Sequence, residues 1–289
     1  AYKKGMSFDT NYLFNDISKR EIASIYRCDL SLIISEVEME ILQTRFKVDN
    51  TLLMYLPFMV EPLTEKEILK LPRFEERTHF ITIGNFLHAP NYNAVLYLKE
   101  TIWPLIKQQL PEAIIDIYGA YASQKVTQLH NEKQGFLIKG FAEDVNEVMQ
   151  HAKVCLAPIQ FGAGLKGKLL DAMINGTPSV TTSVGAEGMY GNLKVNGFIE
   201  DTPKEFVNKA VHLYTNSADW SDKQLNGYEI INSRFNKAEF QQILLLKINA
   251  VVLRLNKHRL NNFTGQMLMH HTMQSTKFMS RWIEEKNKK

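Results

Sequence analysis

Short apolar runs recur along the chain from residue 79 onward, separated by longer stretches of mixed polarity. Each run is four to six residues long and lacks the three-to-four-residue spacing of a helix face. Such runs predict strands that are buried on both faces, as in a parallel sheet. They occupy residues 80–84, 113–118, 135–139, 153–157 and 179–182, and a shorter run follows at 198–199.

Amphipathic stretches fill the gaps between these runs and predict helices. The first predicted helix follows directly after Pro90, and residues 219 onward are predicted to be mostly helical. Strands that alternate with helices at this spacing indicate an α/β fold built on a doubly wound parallel sheet, with C-terminal helices. The predicted helices between the strands are 91–109, 122–130, 145–151, 165–174 and 203–214.

The first sixty residues carry a shorter version of the same pattern. Residues 30–34 and 52–57 are apolar runs that predict two further strands. Ser35 and Glu38 fit a capping box at the start of a helix. Residues 61–76 contain prolines and many charges, which predicts a linker with a short helix.

Glycine ends or follows three of the predicted strands, at Gly84, Gly119 and Gly140. In doubly wound sheets, ligands bind in the crevice outside the carboxyl ends of the strands. These glycines and the loop after Ala157 are therefore expected to line one crevice.

A glycine-rich loop leads from the strand 153–157 into the helix 165–174. Glycines bring backbone N–H groups close to a ligand because they lack a Cβ atom. Lys166 and Lys168 lie in the first turn of the predicted helix, where the helix dipole disfavours cations. A bound diphosphate would offset that charge; the alternative is a surface helix with two solvated lysines. The candidate binding loop consists of Gly162, Ala163, Gly164 and Leu165.

Composition narrows the classes of function. Hydrophobic residues make up 45% of the chain and aromatic residues 10%, as in a globular protein with a buried core. The net charge of +3 is too small to argue for nucleic acid as a partner. Cys28 and Cys155 lack metal-ligand spacing and suggest no disulfide framework, which predicts a reducing compartment. No apolar run approaches the ~20 residues that span a bilayer, so a cytoplasmic protein is expected.

The stretch 158–189 contains a longer ordered pattern. It resembles the donor-sugar-nucleotide site of group 1 (family 4) glycosyltransferases. That family reads Lys-x-x-Glu-Ala-Met-x-x-Gly-x-Pro-Val-Val here, followed by Gly-x-x-Gly. The residues of this chain that match are Lys168, Asp171, Ala172, Met173, Gly176, Pro178, Val180, Gly185 and Gly188.

A second part of the family's pattern is similar to the start of this chain. The end of the family's N-terminal domain has an Asp, an apolar strand, Ser-x-x-Glu and a later Leu-Pro. Here Asp29 precedes the strand 30–34 and the Ser35 capping box, and Leu56 precedes Pro57. The resemblance therefore spans about residues 28–200.

The resemblance implies the GT-B fold, which has two Rossmann-like domains. Residues 1–60 are then expected to be a remnant of the acceptor-side N-terminal domain, joined by a linker at 61–77. Residues 78–235 would form the donor-binding domain, and residues 236–289 would be helices that cross back or dock. Most of the N-terminal domain is absent from this sequence, so the chain is either a fragment or is completed by another chain. The oligomeric state is left open.

The resemblance also implies roles for single residues. Lys166 and Lys168 would be catalytic, because they would stabilise the charge that develops on the leaving diphosphate. Asp171 stands where the family has a Glu that holds the ribose hydroxyls; an ordinary surface position is the alternative. Ala163 stands where the family has a Glu that contacts the donor sugar, and a Gly-x-Gly-x-Lys subgroup lacks that Glu.

Two further candidates come from other loops of the crevice. The loop after the first strand of this domain faces the phosphates in the family, and Asn85 and Asn91 could donate to phosphate or cap the following helix. Capping is the favoured role for Asn91. Phe141 matches the loop against which the family's nucleobase packs, and a core position is the alternative. The glycine-rich region has no Asp-x-Asp motif, so neither a metal nor another cofactor is expected besides the nucleotide sugar, which is the donor substrate.

The function implied is the transfer of a sugar, with retention, from a nucleotide-diphosphate donor to a saccharide or lipid-linked acceptor. The alternative is a subunit that binds nucleotide sugars without catalysis. A GT-B epimerase is a third possibility, but no set of crevice carboxylates and histidines supports it.

The helix expected at 267–282 is rich in Met, His and aromatic residues and has basic neighbours. It is expected either to dock on another domain or to make a peripheral contact with the inner membrane surface, where Trp282 beside Arg281 suits the headgroup layer. His270 and His271 are expected to be an exposed polar pair rather than metal ligands.

Overall fold

The computed structural model of the protein describes residues 15–288. The predicted N-terminal region before residue 15 lies outside these described residues. The chain divides into a larger compact unit, Phe58–Lys237, and a smaller one that contains residues 15–57 and 238–288. The predicted assignment of acceptor, linker and donor segments stays a prediction.

Eight strands and fourteen α-helices cover the described residues. The strands are β1 Ser31–Ile33, β2 Leu53–Tyr55, β3 Thr78–Ile83, β4 Ile115–Tyr118, β5 Phe136–Gly140, β6 Ala152–Ala157, β7 Ser179–Thr181 and β8 Gly197–Ile199. The helices are α1 Asp16–Arg27, α2 Glu36–Thr44, α3 Glu65–Ile68, α4 Ala89–Tyr97, α5 Trp103–Gln109, α6 Gln124–Thr127, α7 Val145–His151, α8 Gly167–Ile174, α9 Ser183–Ala186, α10 Pro203–Thr215, α11 Ser217–Arg234, α12 Lys237–Leu253, α13 Leu255–Asn261 and α14 Phe263–Lys286.

The larger unit is built on a six-stranded parallel sheet with the order β5-β4-β3-β6-β7-β8. The chain moves outward from β3 to β5 on one side and then returns to place β6 on the other side of β3. The strand order therefore reverses between β3 and β6, and a crevice for ligands opens at such a switch point. This sheet confirms the predicted doubly wound α/β fold.

Both faces of this sheet are covered, which explains the apolar runs without alternation. Phe80 of β3 packs on one face in a core with Trp103 of α5 and Phe206 of α10. The neighbouring Ile81 points to the opposite face and packs with Met149 of α7 and with α8. Successive residues of a strand point to opposite faces, so a strand covered on both sides must be apolar throughout.

A buried arginine joins the amino end of β3 to two helices. Arg77, directly before β3, is 1% exposed. Its guanidinium donates hydrogen bonds to the Pro72 carbonyl at 2.9 Å, to Thr177 Oγ1 at 2.8 Å and to the Asn175 carbonyl at 2.9 Å. It also lies 5.1 Å from the ring centroid of Trp220 in α11. Burial lowers the pKa of Arg77 to about 10, and the cation fixes the carboxyl end of α8.

Two predicted helices of the larger unit differ from the structure. The stretch predicted as one helix at 91–109 is divided by a π-turn, Leu98–Ile102. Pro104 in the next turn has no N–H to donate to the preceding turn, which accounts for the change from α-helical to π-helical hydrogen bonding. The predicted helix 122–130 is wrong beyond α6, because the chain turns back and Asn131 pairs with Phe136 at the edge of the sheet.

The smaller unit contains β1 and β2, which pair in parallel as the apolar runs predicted. Ile25, Val48, Leu52 and Leu53 form its core. Ser35 precedes α2 as predicted, but its side chain makes no capping hydrogen bond. The Ser35 hydroxyl is instead buried and without a hydrogen-bond partner, so the predicted capping box is wrong.

The C-terminal helices of the smaller unit bond to its N-terminal part. Arg259 of α13 donates two hydrogen bonds to the Asp29 carboxylate, at 3.0 and 2.8 Å. This bidentate contact lowers the pKa of Asp29. The helices predicted after residue 219 are confirmed as α11 to α14. Among the described residues, none of the helices has the length and apolar character needed to cross a membrane.

Candidate functional site

A cavity of about 370 Å³ opens at the carboxyl ends of β3 to β6. Its wall is formed by the loops that follow these strands and by the first turns of α8. Gly84 and Gly119 line it, as the glycine pattern predicted, whereas Gly140 is not among its lining residues. The cavity lies at the point where the strand order reverses, so the fold itself positions it.

The structure brings almost all of the predicted site residues together. The exception is Gly164, which is buried behind the wall, where its carbonyl accepts a hydrogen bond from the Lys166 ammonium. The predicted residues that line the cavity are Asn85, Phe141, Gly162, Ala163, Leu165, Lys166, Lys168 and Asp171.

Several apolar residues that line the cavity were not among the predicted site residues. Val145 begins α7, and Ile159 and Phe161 lie in the loop after β6. Their apolar character alone is equally typical of core positions. Only the predicted ends of the strands could have indicated that they face a crevice.

Positive φ angles explain the glycines of the loop between β6 and α8. Gly162 has φ +130° and Gly164 has φ +73°, which L-residues with a side chain rarely adopt. A Cβ atom on Gly162 would also lie 3.3 Å from Pro90 Cγ in the first turn of α4. The loop can therefore lie close against the start of α4 only because of glycine.

Two helices begin at the cavity. α4 starts at Ala89 after His88, and α8 starts at Gly167 after Lys166. The first N–H groups of a helix have no partner within the helix, and the helix dipole makes this end positive. Because His88, Gly167 and Lys168 all line the cavity, the two helix starts make it a favourable place for an anion.

Lys168 is a buried cation. Its side chain, in the first turn of α8, is 8% exposed and, among the described residues, it has no hydrogen-bond or ion-pair partner. Burial lowers the pKa of Lys168 to about 8, an effect that the nearby Cys155 thiol partly opposes. At neutral pH the ammonium is therefore still charged, in a place where charge is unfavourable. A bound anion would remove that penalty.

Lys166 stands one residue before α8 and lines the same cavity. Its backbone N–H donates to the Met189 sulfur at 3.3 Å, which fixes the chain where the helix begins. Lys166 and Lys168 are the only lysines or arginines among the cavity's lining residues. The loop after β3 contributes His88 as its basic group.

Asp171 lies one turn after Lys168 on α8, and the two side chains form no salt bridge within the described residues. Burial raises the pKa of the Asp171 carboxyl to about 6, so it is mostly ionised at neutral pH. The cavity thus presents an ammonium and a carboxylate that do not neutralise each other. Such an arrangement suits a ligand with both an anionic group and hydroxyl groups.

The position of Asn91 differs from the predicted one. Asn91 lies inside α4 instead of capping it, and His88 occupies the N-cap position without a side-chain hydrogen bond. The Asn91 side chain donates to the Asn85 carbonyl at 3.0 Å, and Asn85 Oδ1 accepts from the Leu87 N–H at 2.8 Å. These bonds hold Asn85 at the cavity. Phe141 is 70% exposed, so the core alternative for it is wrong.

Between residues 15 and 288, no group of three or more His, Cys, Asp or Glu side chains is arranged to hold a metal ion. His270 and His271 lie on α14 with ring centroids 6.1 Å apart, and both are exposed. Their exposure agrees with the expected polar pair.

Residues 77–216 match the family model described as glycosyl transferases, group 1. A search of the curated proteins finds no match. Several solved structures of glycosyltransferases with the GT-B fold are similar to the chain, all at identities that establish the fold alone.

One such structure is a mutant of S. aureus TarM in complex with fondaparinux, alpha-GlcNAc-glycerol and UDP, at 17% identity and a TM-score of 0.68. The match covers 84% of this chain and 48% of that one. Another is the pneumococcal O-GlcNAc transferase GtfA in complex with UDP and GlcNAc, at 16% identity and a TM-score of 0.65. That match covers 82% of this chain and 48% of the other. A third is Anabaena Alr3699/HepE in complex with UDP and glucose, at 14% identity and a TM-score of 0.61. That match covers 83% of this chain and 68% of the other. The chain spans about half the length of the first two.

Replacement of Lys168 by methionine should stabilise the unliganded protein near neutral pH. The pKa of about 8 in the folded state lies below the ordinary value of 10.5, so the folded state carries an unfavourable charge below about pH 8. This penalty is lost as the pH rises from about 8 to about 10.5, and it corresponds to on the order of 3 kcal/mol. Urea denaturation at about pH 7, in a buffer without phosphate, measures the free energy of unfolding.

The matched control is Lys125→Met on α6, where the side chain is exposed and the free energy of unfolding should not change. A Lys168→Met protein that is less stable than the wild type at about pH 7 would contradict the description of Lys168 as a desolvated, unpaired ammonium.

Proposed function

We propose that this chain, in which residues 77–216 match the family model of group 1 glycosyl transferases, binds a nucleotide-diphosphate sugar in the cavity and transfers the sugar. The observation that carries the proposal is the buried Lys168 ammonium, which has no partner in the described residues and lies where two helices begin. UDP is present in complexes of three structurally similar proteins, which supports a nucleoside diphosphate as the ligand.

The cavity's chemistry suggests how the donor lies. The diphosphate would contact Lys166, Lys168 and the N–H groups at the start of α8, because these groups favour negative charge. The Asp171 carboxylate, one turn further along α8, would accept hydrogen bonds from the ribose hydroxyls. The base would then lie toward Phe141 and Gly119, in the loops that follow β5 and β4.

The proposed reaction breaks the bond between the anomeric carbon of the sugar and a diphosphate oxygen. That oxygen keeps the bonding electrons, so negative charge grows on the diphosphate, and Lys166 and Lys168 stabilise it. An acceptor hydroxyl forms the new bond on the same face of the sugar, and its proton passes to the diphosphate. The stereochemistry is thus retained without a protein nucleophile or a metal. A saccharide or a lipid-linked saccharide is the proposed acceptor.

The alternative is a subunit that binds nucleotide sugars without catalysis. Ala163 supports it, because the family has a Glu at this position that contacts the donor sugar. The length of the chain, about half that of two similar proteins, also leaves most of the acceptor side unaccounted for.

A peripheral membrane contact is proposed for α14 in the smaller unit. Phe278, Met279 and Trp282 are exposed there, and Lys286 lies 5.1 Å from the Trp282 ring centroid. Residues 241–289 contain nine Lys or Arg and two Glu, whereas the whole chain has a net charge of only +3. Basic and aromatic residues together favour an anionic lipid surface, which would place the protein at the cytoplasmic face of a membrane.

Nucleotide binding is tested by calorimetric titration with UDP, GDP and ADP. Lys166→Ala with Lys168→Ala should weaken the binding of the preferred nucleotide by ~3 kcal/mol or more, because charged hydrogen bonds contribute ~1.5–3 kcal/mol each. In the wild type, affinity should also fall as the pH rises above about 8, because Lys168 then loses its proton. Unchanged affinity in the double variant, with Lys125→Ala as the control, would overturn the site.

Incubation of the protein with the sugar derivatives of UDP, GDP and ADP distinguishes a transferase from a binding subunit. An enzyme should hydrolyse the matching sugar nucleotide slowly, or transfer its sugar when an acceptor is added. Tight binding without hydrolysis or transfer, also when an acceptor-side domain is supplied together with the chain, would favour the binding subunit.

Sedimentation with vesicles tests the membrane contact. The protein should bind vesicles of phosphatidylcholine mixed equally with phosphatidylglycerol, and should bind pure phosphatidylcholine weakly. Phe278→Ser with Trp282→Ser should reduce that binding, whereas Leu69→Ser on the exposed surface of the larger unit should not. Equal, weak sedimentation with both vesicle types would rule the contact out.

A further inference from the structure

A second cavity of the larger unit, of about 210 Å³, lies between α7 and the face of β3 and β4 that α7 covers. It reaches the first residues of β3 and β6, whereas the cavity proposed for the donor, here called the donor cavity, lies at the carboxyl ends of these strands. The two cavities share no lining residue. The titratable side chains that line the second cavity are His79, Asp116, Tyr118, Glu147 and His151.

Both histidines of the second cavity donate a hydrogen bond through Nδ1. His79 Nδ1 lies 2.7 Å from Asp116 Oδ2, and His151 Nδ1 lies 2.7 Å from the Glu147 carbonyl oxygen. Carboxylate and carbonyl oxygens only accept hydrogen bonds, so each Nδ1 carries a proton. In a neutral ring of this tautomer, Nε2 is an acceptor. Within residues 15–288, neither Nε2 atom has a hydrogen-bond partner.

Two carboxylates give the second cavity negative charge. The Asp116 side chain is 16% exposed, and its buried Oδ1 has no hydrogen-bond partner among the described residues. Glu147 is exposed on α7. Burial raises the pKa of the Tyr118 hydroxyl, and the charges of Asp116 and Glu147 raise it further. Both carboxylates therefore act on the same place, at the tyrosine hydroxyl.

Lys139 of β5 is the cation that the chain itself offers to Asp116. Its Nζ lies 3.4 Å from Asp116 Oδ1, beyond the length of about 2.7–2.9 Å that a charged hydrogen bond has. The Lys139 side chain is 40% exposed and does not line the second cavity. This loose ion pair leaves Asp116 Oδ1 without the hydrogen bond that buried polar atoms normally have.

The chemistry of the second cavity favours an organic cation. The part of the chain that the structure describes places no lysine or arginine in its lining, so its two carboxylates disfavour an anion. The described His, Asp and Glu side chains are not arranged to hold a metal ion in groups of three or more. A guanidinium or ammonium group has both the positive charge and the N–H donors that these acceptors lack.

We propose that the second cavity binds the guanidinium or ammonium group of a ligand. Asp116 and Glu147 are its charged partners, and Nε2 of His79 is a further acceptor. The group can belong to a free amine or to an arginine or lysine side chain of a partner protein, and the test distinguishes these two sources. The inference does not depend on the proposed function, because the donor cavity contributes no residue to this site.

Methylguanidinium is the probe for the chemistry that both sources share. Its titration into the full chain should shift the imidazole NMR signals of His79 and His151, with a Kd on the order of 1–10 mM for so small a ligand. The signals of His270 and His271, which are exposed in the smaller unit, should not shift. Tetramethylammonium carries the charge without any N–H group, so it should bind at least about 10-fold more weakly.

Substitutions in and beside the cavity should change the affinity for methylguanidinium in opposite directions. Asp116→Asn should weaken binding by at least about 10-fold, because a buried charged hydrogen bond is lost. Glu147→Gln on the exposed helix surface should weaken it by about 2-fold to 5-fold. Lys139→Gln should tighten it by about 2-fold to 5-fold, because the lysine no longer competes for Asp116. Glu112→Gln, an exposed carboxylate elsewhere in this unit, is the matched control.

The gain in Lys139→Gln is the decisive result, since a damaged fold cannot tighten binding. Capped arginine, N-acetyl-arginine methylamide, and the free amine agmatine then separate the two sources. If capped arginine binds at least as tightly as agmatine, the second cavity accepts a side chain of a partner protein; if agmatine binds more tightly, the site is one for a free amine. The inference is overturned if methylguanidinium leaves the His79 signal unshifted, if tetramethylammonium binds equally well, or if Lys139→Gln fails to tighten binding.

Discussion

The character of the donor cavity depends on one ammonium group that is buried without a partner in the described residues. Lys168 lies in the first turn of α8, near Cys155 of β6, and burial lowers its pKa to about 8. A protein gains nothing in stability from an unpaired, desolvated cation at a positive helix end. The arrangement makes physical sense when an anion completes it. A bound diphosphate would then supply the negative charge that the Lys168 ammonium lacks in the free protein.

The rest of the larger unit holds this helix in place. Arg77 binds the carboxyl end of α8 through the Asn175 carbonyl, and it contacts Trp220 of α11 on its other side. The amino end of α8 is set by a glycine loop that lies against Pro90. The parallel sheet brings both helix starts to the edge where the strand order reverses. Architecture and electrostatics therefore converge on one crevice, in a fold that is similar to those of the two glycosyltransferases compared above.

The sequence was sufficient for the elements whose pattern is local. Apolar runs located the six strands of the large sheet, and the loop around Gly162 located the cavity because its glycines and lysines are adjacent in the chain. Properties that depend on packing could not be predicted from the sequence. The burial of Lys168 results from contacts of α8 with distant parts of the chain, and the missing cap at Ser35 from its buried surroundings. Likewise, no pattern predicts the φ angle of +58° at Tyr121, because residues with a large side chain rarely adopt the left-handed conformation.

The pKa of the Lys168 ammonium, measured by NMR of nitrogen-labelled lysine side chains with and without UDP, tests the central claim most directly. The account predicts a pKa of about 8 in the free protein and a clear rise when UDP binds, because the charge of the diphosphate favours the protonated form. A free pKa near the ordinary lysine value of about 10.4, or the same pKa in both states, would contradict it.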